Sequence, residues 1–170
     1  MSDAPARLTL SWLDSPIGPL ALACDGEGVL RGLSFGGDPG PAMRRAYPAA
    51  AMEEGTAPKA VITALAAYFG GARDALEGVR WAVEGEHFNA RVWRELAGVP
   101  AGSTISYGEM ARRAGEPGAA QAAGVALNRN PVPLILPCHR VIGADGALVG
   151  FGGGIARKEW LLRHEGALLI

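Results

Sequence analysis

Ser106-Tyr107-Gly108-Glu109-Met110-Ala111-Arg112-Arg113-Ala114-Gly115-Glu116-Pro117-Gly118-Ala119-Ala120-Gln121-Ala122-Ala123-Gly124-Val125-Ala126-Leu127 contains two helical segments and the turn between them. Ser106 is a favoured N-cap, and Glu109 three residues on completes a capping box for a helix over Tyr107–Arg113. Gly115-Glu116-Pro117-Gly118 supplies the turn, and a second helix is expected over Ala119–Leu127. Helices joined by so short a turn make a helix-turn-helix, whose second helix enters a DNA groove. An ordinary helical hairpin would look the same from the turn alone. The surface of the second helix adds information, because Gly118 to Ala126 is almost free of bulky side chains. A core helix needs some large apolar residues, whereas small ones permit close approach to a minor groove roughly 6 Å wide. Alanine's helix propensity accounts for the same composition without any DNA.

Downstream of the second helix stands Asn130-Pro131-Val132-Pro133-Leu134-Ile135-Leu136-Pro137-Cys138-His139-Arg140-Val141. Cysteine as thiolate is a strong nucleophile near neutral pH, and a neighbouring histidine can take its proton. Pro137 suits the start of a helical turn. A cysteine opening such a turn has its sulfur near free backbone N–H groups, which favour the charged form. Read alone, Cys138 is also compatible with a buried residue in an apolar run, since cysteine is among the most buried residue types.

Further outward lie Gly150-Phe151-Gly152-Gly153-Gly154 and Arg157-Lys158-Glu159-Trp160-Leu161-Leu162-Arg163-His164-Glu165-Gly166. With Val99 to Ala111 and the Pro-Cys-His-Arg segment, in this order and at these spacings, the chain closely resembles the O6-alkylguanine-DNA alkyltransferases, or methylated-DNA–protein-cysteine methyltransferases. The resemblance is dense over residues 86–168 and thinner before, where Asp14 to Leu20 looks like the family's opening hairpin. It implies an α+β fold: a small strand-rich, ribonuclease H-like domain over 1–85, then a helical, winged-helix-like DNA-binding domain over 86–170.

The resemblance also implies chemistry. Cys138 is the expected acceptor, attacking the carbon on guanine O6 in DNA, with O4-alkylthymine as a second candidate substrate. His139 is the expected base, acting through a water, because adjacent residues on a helical turn do not face each other. Glu165 orients that histidine, and this relay is expected to hold the Cys138 thiol below the free value of about 8.5. Tyr107 matches the proton donor to guanine N3, and Asn130 the residue that ties the second helix to the cysteine turn. Ala119, Gln121, Ala122, Gly124, Arg129 and Arg140 are the expected DNA contacts, through the minor groove of duplex DNA. Pro133, Val141, Phe151, Gly152 and Gly153 are the expected pocket wall.

Two departures from the family stand out. Relatives carry an arginine where this chain has Gln121, and that residue fills the stack as the target nucleotide rotates out. Glutamine lacks the charge and planar stacking of guanidinium. Arg129 is no substitute, since eight residues along a helix is about 12 Å. Relatives often have tyrosine at Phe151 and a small polar residue at Gly152. The replacements imply a roomier pocket that admits bulkier O6 substituents. The competing functional class is an alkyltransferase-like protein that binds lesions without transfer, but such proteins replace the reactive cysteine. A Cys–His hydrolase lacks a matching fold pattern.

Composition bounds the rest. The chain has 170 residues, 49% of them apolar and 19% charged, which suits a folded protein rather than a disordered one. No signal-like start and no membrane-length apolar run is present, so a cytoplasmic protein is expected. It is expected to be a monomer. Two cysteines in unlike contexts form no disulfide framework. Some relatives bind zinc near the position of Cys24, but the accompanying histidines are missing, so neither metal nor other cofactor is expected. The net charge of −1 divides into −3 for residues 1–85 and +2 for 86–170, a weak electrostatic footprint for DNA.

The N-terminal half reads as strands Leu8–Trp12, Leu20–Cys24 and Val29–Phe35, then a surface connection over 38–57 with a short helix. A helix follows over Lys59–Phe69, with Val61, Leu65, Ala66 and Phe69 at helical spacing, then a short extended piece at Trp81–Val83. Phe88–Leu96 reads as an amphipathic helix with Phe88, Val92, Trp93 and Leu96 on one face.

Overall fold

In the computed structural model, which describes residues 4–148 and 154–168, strands β1 (Arg7–Leu13) and β2 (Leu20–Cys24) form the expected hairpin. Ser15 closes its turn by donating from Oγ to the Gly18 carbonyl at 2.6 Å and accepting from the Ile17 N–H at 3.2 Å. β3 (Leu30–Phe35) pairs antiparallel on the other side of β2, with a register shift at Ala23/Cys24. All five residues of β2 are buried. Its unbroken apolar run is what a strand covered on both faces requires.

The connection over 38–57 holds more structure than its sequence suggests. Helix α1 (Gly40–Ala46) is followed by β4 (Ala51–Glu54), which pairs in parallel with β1. Ala-Met-Glu-Glu has low strand propensity, and none of its side chains is fully buried. The strand forms because the open edge of β1 offers unpaired hydrogen-bonding groups, which local propensity cannot reveal. The sheet order is therefore β3-β2-β1-β4. Leu8, Leu10 and Ala23 from the sheet pack with Met43 and Tyr47. Gly32 permits that approach: a Cβ there would lie 2.8 Å from Met43 Cγ and Cε.

Helix α2 (Lys59–Phe69) buries Val61, Leu65 and Tyr68. Ala66, expected on the inner face, is exposed, and Phe69 is only half-buried. The i, i+4, i+7 stripe runs through Tyr68 instead. The extended piece near Trp81 reduces to one bridge, in which Leu30 N–H donates to Arg80 C=O and Ala82 N–H to Leu30 C=O.

The chain divides into two compact units, one running to Gly85 and including Pro131–Ile135, the other containing Glu86–Asn130 and the residues from Leu136 on. The sequence places 131–135 in the second domain. Leu33 N–H donates to Pro131 C=O at 2.9 Å, and such pairing draws this segment into the first unit.

In the second unit α3 (Phe88–Leu96) buries Ala90, Val92, Trp93 and Leu96, while Phe88 is half-buried. Strand β5 (Ile105–Ser106) leads into α4 (Tyr107–Arg113). Ser106 Oγ caps α4 by accepting from Glu109 N–H at 3.1 Å. The Glu109 carboxylate accepts from Arg112 and Arg113, so the capping box is half built. Gly115 and Gly118 take φ of 93° and 86° in the turn, and α5 (Ala120–Asn128) follows. A 3-10 turn (Cys138–Arg140) leads to β6 (Val141–Ile142), paired in parallel with β5, and then to α6 (Ile155–His164). Among the described residues no helix is long and apolar enough to cross a membrane.

Candidate active site

Pro137 bends the chain just before the cysteine. Its φ of −80° and ψ of 71° are those of an inverse γ-turn, closed by Cys138 N–H donating to Leu136 C=O at 2.8 Å. The same carbonyl accepts from Asn130 Nδ2 at 2.9 Å. Asn130, just past α5 and only 4% exposed, thus ties the end of that helix to the cysteine turn. Leu134, four residues before Cys138 and buried, holds φ of 76°, a left-handed conformation uncommon for a leucine.

His139 and Glu165 are both fully buried, and His139 Nε2 lies 2.8 Å from Glu165 Oε2. Arg140 grips the same carboxylate with a fork, Nε to Oε1 at 2.8 Å and Nη2 to Oε2 at 2.9 Å. Its Nη1 donates to Val99 C=O at 2.6 Å. Burial raises the Glu165 carboxyl, but the His139 and Arg140 hydrogen bonds and charges outweigh it and bring the pKa down to about 2. His139 moves down too, because burial disfavours imidazolium more than Glu165 favours it. A neutral imidazole beside an ionised carboxylate carries its proton on Nε2, since the carboxylate can only accept. Nδ1 is therefore a lone pair, buried and without a hydrogen-bond partner among the described residues. That atom is a base waiting for a proton.

The thiol departs from the sequence expectation. Cys138 is 6% exposed, and burial pushes its pKa up to about 11 rather than below the free value. Asn130, the Lys158 charge and the backbone N–H groups of Cys138 and His139 all pull it down, as a turn N-terminus should, but they are outweighed. Desolvation of a thiolate is the larger effect here. The resting protein holds a thiol.

Lys158 is a site residue that the sequence reading missed. Only 1% exposed, it donates from Nζ to Val141 C=O at 2.7 Å and lies 5.9 Å from the centre of the Tyr107 ring. Burial lowers its pKa and the neighbouring Cys138 raises it. A lysine on an amphipathic helix ordinarily points to solvent, so only its position on α6 could have hinted otherwise. Burial, and then Cys138, raise the Tyr107 phenol, which stays protonated.

On α5, Gln121 and Ala122 are exposed, Gly124 and Ala119 half-buried, and Arg129 exposed just past the helix end. Gly124 lies beside Tyr107, whose ring would be 3.9 Å from a Cβ placed there. Arg140 corrects another expectation: it is 8% exposed and committed to Glu165 and Val99, so it buttresses the relay and offers no charge to DNA. Val141 is buried in β6, and Pro133 is half-buried in the segment 131–135. Phe151, Gly152 and Gly153 lie outside the described residues.

Comparisons with known proteins match both parts of the chain. Residues 8–81 match the family model described as 6-O-methylguanine DNA methyltransferase, ribonuclease-like domain, and residues 87–167 match its DNA binding domain. A methylated-DNA–protein-cysteine methyltransferase of Salmonella typhimurium is 38% identical, over 96% of this chain and 99% of its own. One from Mycobacterium leprae is 44% identical, over 90% and 89%. The crystal structure of Mycobacterium tuberculosis OGT in complex with DNA superposes with a TM-score of 0.77 at 39% identity, covering 95% of this chain and 93% of that one. With both units matched and the Cys138–His139–Glu165 geometry inside the second, the chain belongs to the 6-O-methylguanine-DNA methyltransferase family.

Proposed function

We propose that Cys138 is the acceptor in a direct-reversal repair reaction on duplex DNA containing O6-alkylguanine. The observation that carries this reading is the His139 ring, pinned by Glu165 at Nε2 with Nδ1 left as a buried lone pair, in the residue that directly follows a free thiol. The thiol proton passes through a water to Nδ1. The sulfur attacks the alkyl carbon and the carbon–O6 bond breaks. The electron pair stays on the guanine, which takes a proton at N3 from the Tyr107 hydroxyl. Glu165 balances the imidazolium that forms. The Lys158 charge stabilises the developing thiolate and, beside Tyr107, the developing phenolate.

The product is a thioether, which does not hydrolyse, so each chain reacts once. One chain carries every side chain that the reaction uses, which suits a monomer. The exposed face of α5 enters the minor groove, with Gln121 beside the position that the extruded nucleotide leaves. A free thiol and a DNA substrate support a reducing, DNA-containing compartment, read here as the cytoplasm. Retention of Cys138 argues against a purely lesion-binding role.

Intact-protein mass spectrometry after incubation with O6-methylguanine DNA tests the reading. One methyl group per chain is expected, absent in Cys138→Ser. Repeated turnover, or methylation at Cys24, would contradict it.

A further inference from the structure

Val125 sits near the middle of α5 and is 49% exposed. Among the described residues of the second unit, Ile155 is the other large apolar side chain so open to solvent. One turn before Val125 lies Gln121 and one turn after lies Arg129, both exposed, so Val125 is the apolar centre of an otherwise polar or small face. Ala123, Ala126 and Leu127 are buried on the opposite side. Trp93 Nε1 donates to Ala126 C=O at 2.7 Å and fixes the rotation of the helix about its axis, so Val125 stays outward. A β-branched side chain also has one strongly preferred rotamer in a helix. Val125 is thus a rigid knob, and its neighbour Gly124 abuts the Tyr107 ring.

Such a knob has consequences in a minor groove. Every base pair presents acceptors there, and only G·C adds a donor, the guanine N2 amino group. Valine methyls pressed against that amino group displace its water and return no acceptor, which leaves a buried donor unpaired. We propose that Val125 is a sequence-context residue: it contacts the groove floor beside the extruded nucleotide and disfavours a G·C pair at that step. The inference rests on α5 entering the minor groove.

The test compares single-turnover transfer rates on duplexes containing O6-methylguanine, with the pair on each side set in turn to A·T, G·C or inosine·C. Inosine·C keeps the Watson–Crick geometry and the major-groove edge of G·C, but it lacks the N2 amino group and the one pairing hydrogen bond which that group makes. The Val125 variants separate loss of the groove donor from the weaker pairing. On one side of the lesion, G·C should slow transfer roughly tenfold relative to A·T, and inosine·C should restore the rate. Val125→Thr keeps the shape and adds a hydroxyl acceptor, so it should narrow the penalty. Equal rates with G·C and inosine·C, or a penalty unchanged in Val125→Thr and Val125→Ala, would overturn the proposal. Ala122→Glu separates the two ways of failing. A carboxylate on this face repels DNA and should lower the ratio of the duplex rate to the rate with free O6-benzylguanine. An unchanged ratio removes α5 from the groove, and Val125 with it. A lowered ratio without an inosine effect removes only the role of Val125.

Discussion

At the scale of single residues, the buried sulfur of Cys138 gives up its proton only when a partner takes it. Because burial holds the thiol near 11 and His139 below its ordinary value, the pair at rest is thiol and neutral imidazole. Ionisation is thus expected to accompany transfer rather than precede it. Titration of the thiolate by its ultraviolet absorbance checks this in a Cys24→Ala background, since burial pushes Cys24 up to about 11 as well. Cys138 should remain mostly un-ionised at pH 9, where an ordinary thiol is at least half ionised. A midpoint well below that would restore the stored thiolate that the Cys-His sequence suggests. The motif shows which two groups meet, but it carries no measure of how much water reaches them.

At the scale of elements, α5 carries its function on one face. Its inner face is read easily from sequence, because Ala123, Ala126 and Leu127 follow helical spacing. The outer face has Gln121, where the family resemblance leads to the expectation of an arginine. A neutral, poorly stacking side chain offsets less of the few kcal/mol needed to extrude a nucleotide. Gln121→Arg is expected to speed transfer on duplex DNA by roughly tenfold, about 1.4 kcal/mol, with little change for free O6-benzylguanine. Rates on both substrates check this, and a parallel change in the two would remove Gln121 from the extrusion step. Helices α2 to α5 could be placed within a residue or so from caps, turns and periodicity. Strand β4 could not, since Ala51–Glu54 is a strand only by virtue of the β1 edge beside it.

At the scale of the molecule, Glu165 gathers distant parts of the second unit, linking Val99 through Arg140 with His139 and the end of α6. Removing its charge leaves the Arg140 guanidinium buried without its counter-ion. Glu165→Gln is expected to cost ~3–5 kcal/mol of unfolding free energy near neutral pH. The sign with pH follows from the depressed carboxyl. Its folded pKa of about 2 lies below the ordinary 4.5, so the stabilisation is complete above 4.5 and is lost as pH falls toward about 2. Urea unfolding of both proteins across that range should show the gap closing at low pH. A gap that stays constant would mean that the carboxylate's charge does not hold the unit together.

Much of this protein follows from the order of its residues alone. The helix-turn-helix and the opening hairpin rest on local signals: caps, glycine turns and helical spacing. Cys138 and His139 stand together in a short motif, whereas Glu165 joins them in the sequence reading only through the family resemblance. Other features depend on what surrounds a residue, and burial is a property of the assembled chain. Arg140 reads as a DNA contact and Lys158 gives no signal at all, yet packing turns both inward, Lys158 beside Tyr107 and Arg140 onto Glu165. Residues 131–135 read as part of the second domain, yet Pro131 accepts from Leu33 in the first unit. The state of Cys138 belongs to the same class. Its sequence neighbours favour a thiolate, and only the folded chain removes enough water to make it a thiol.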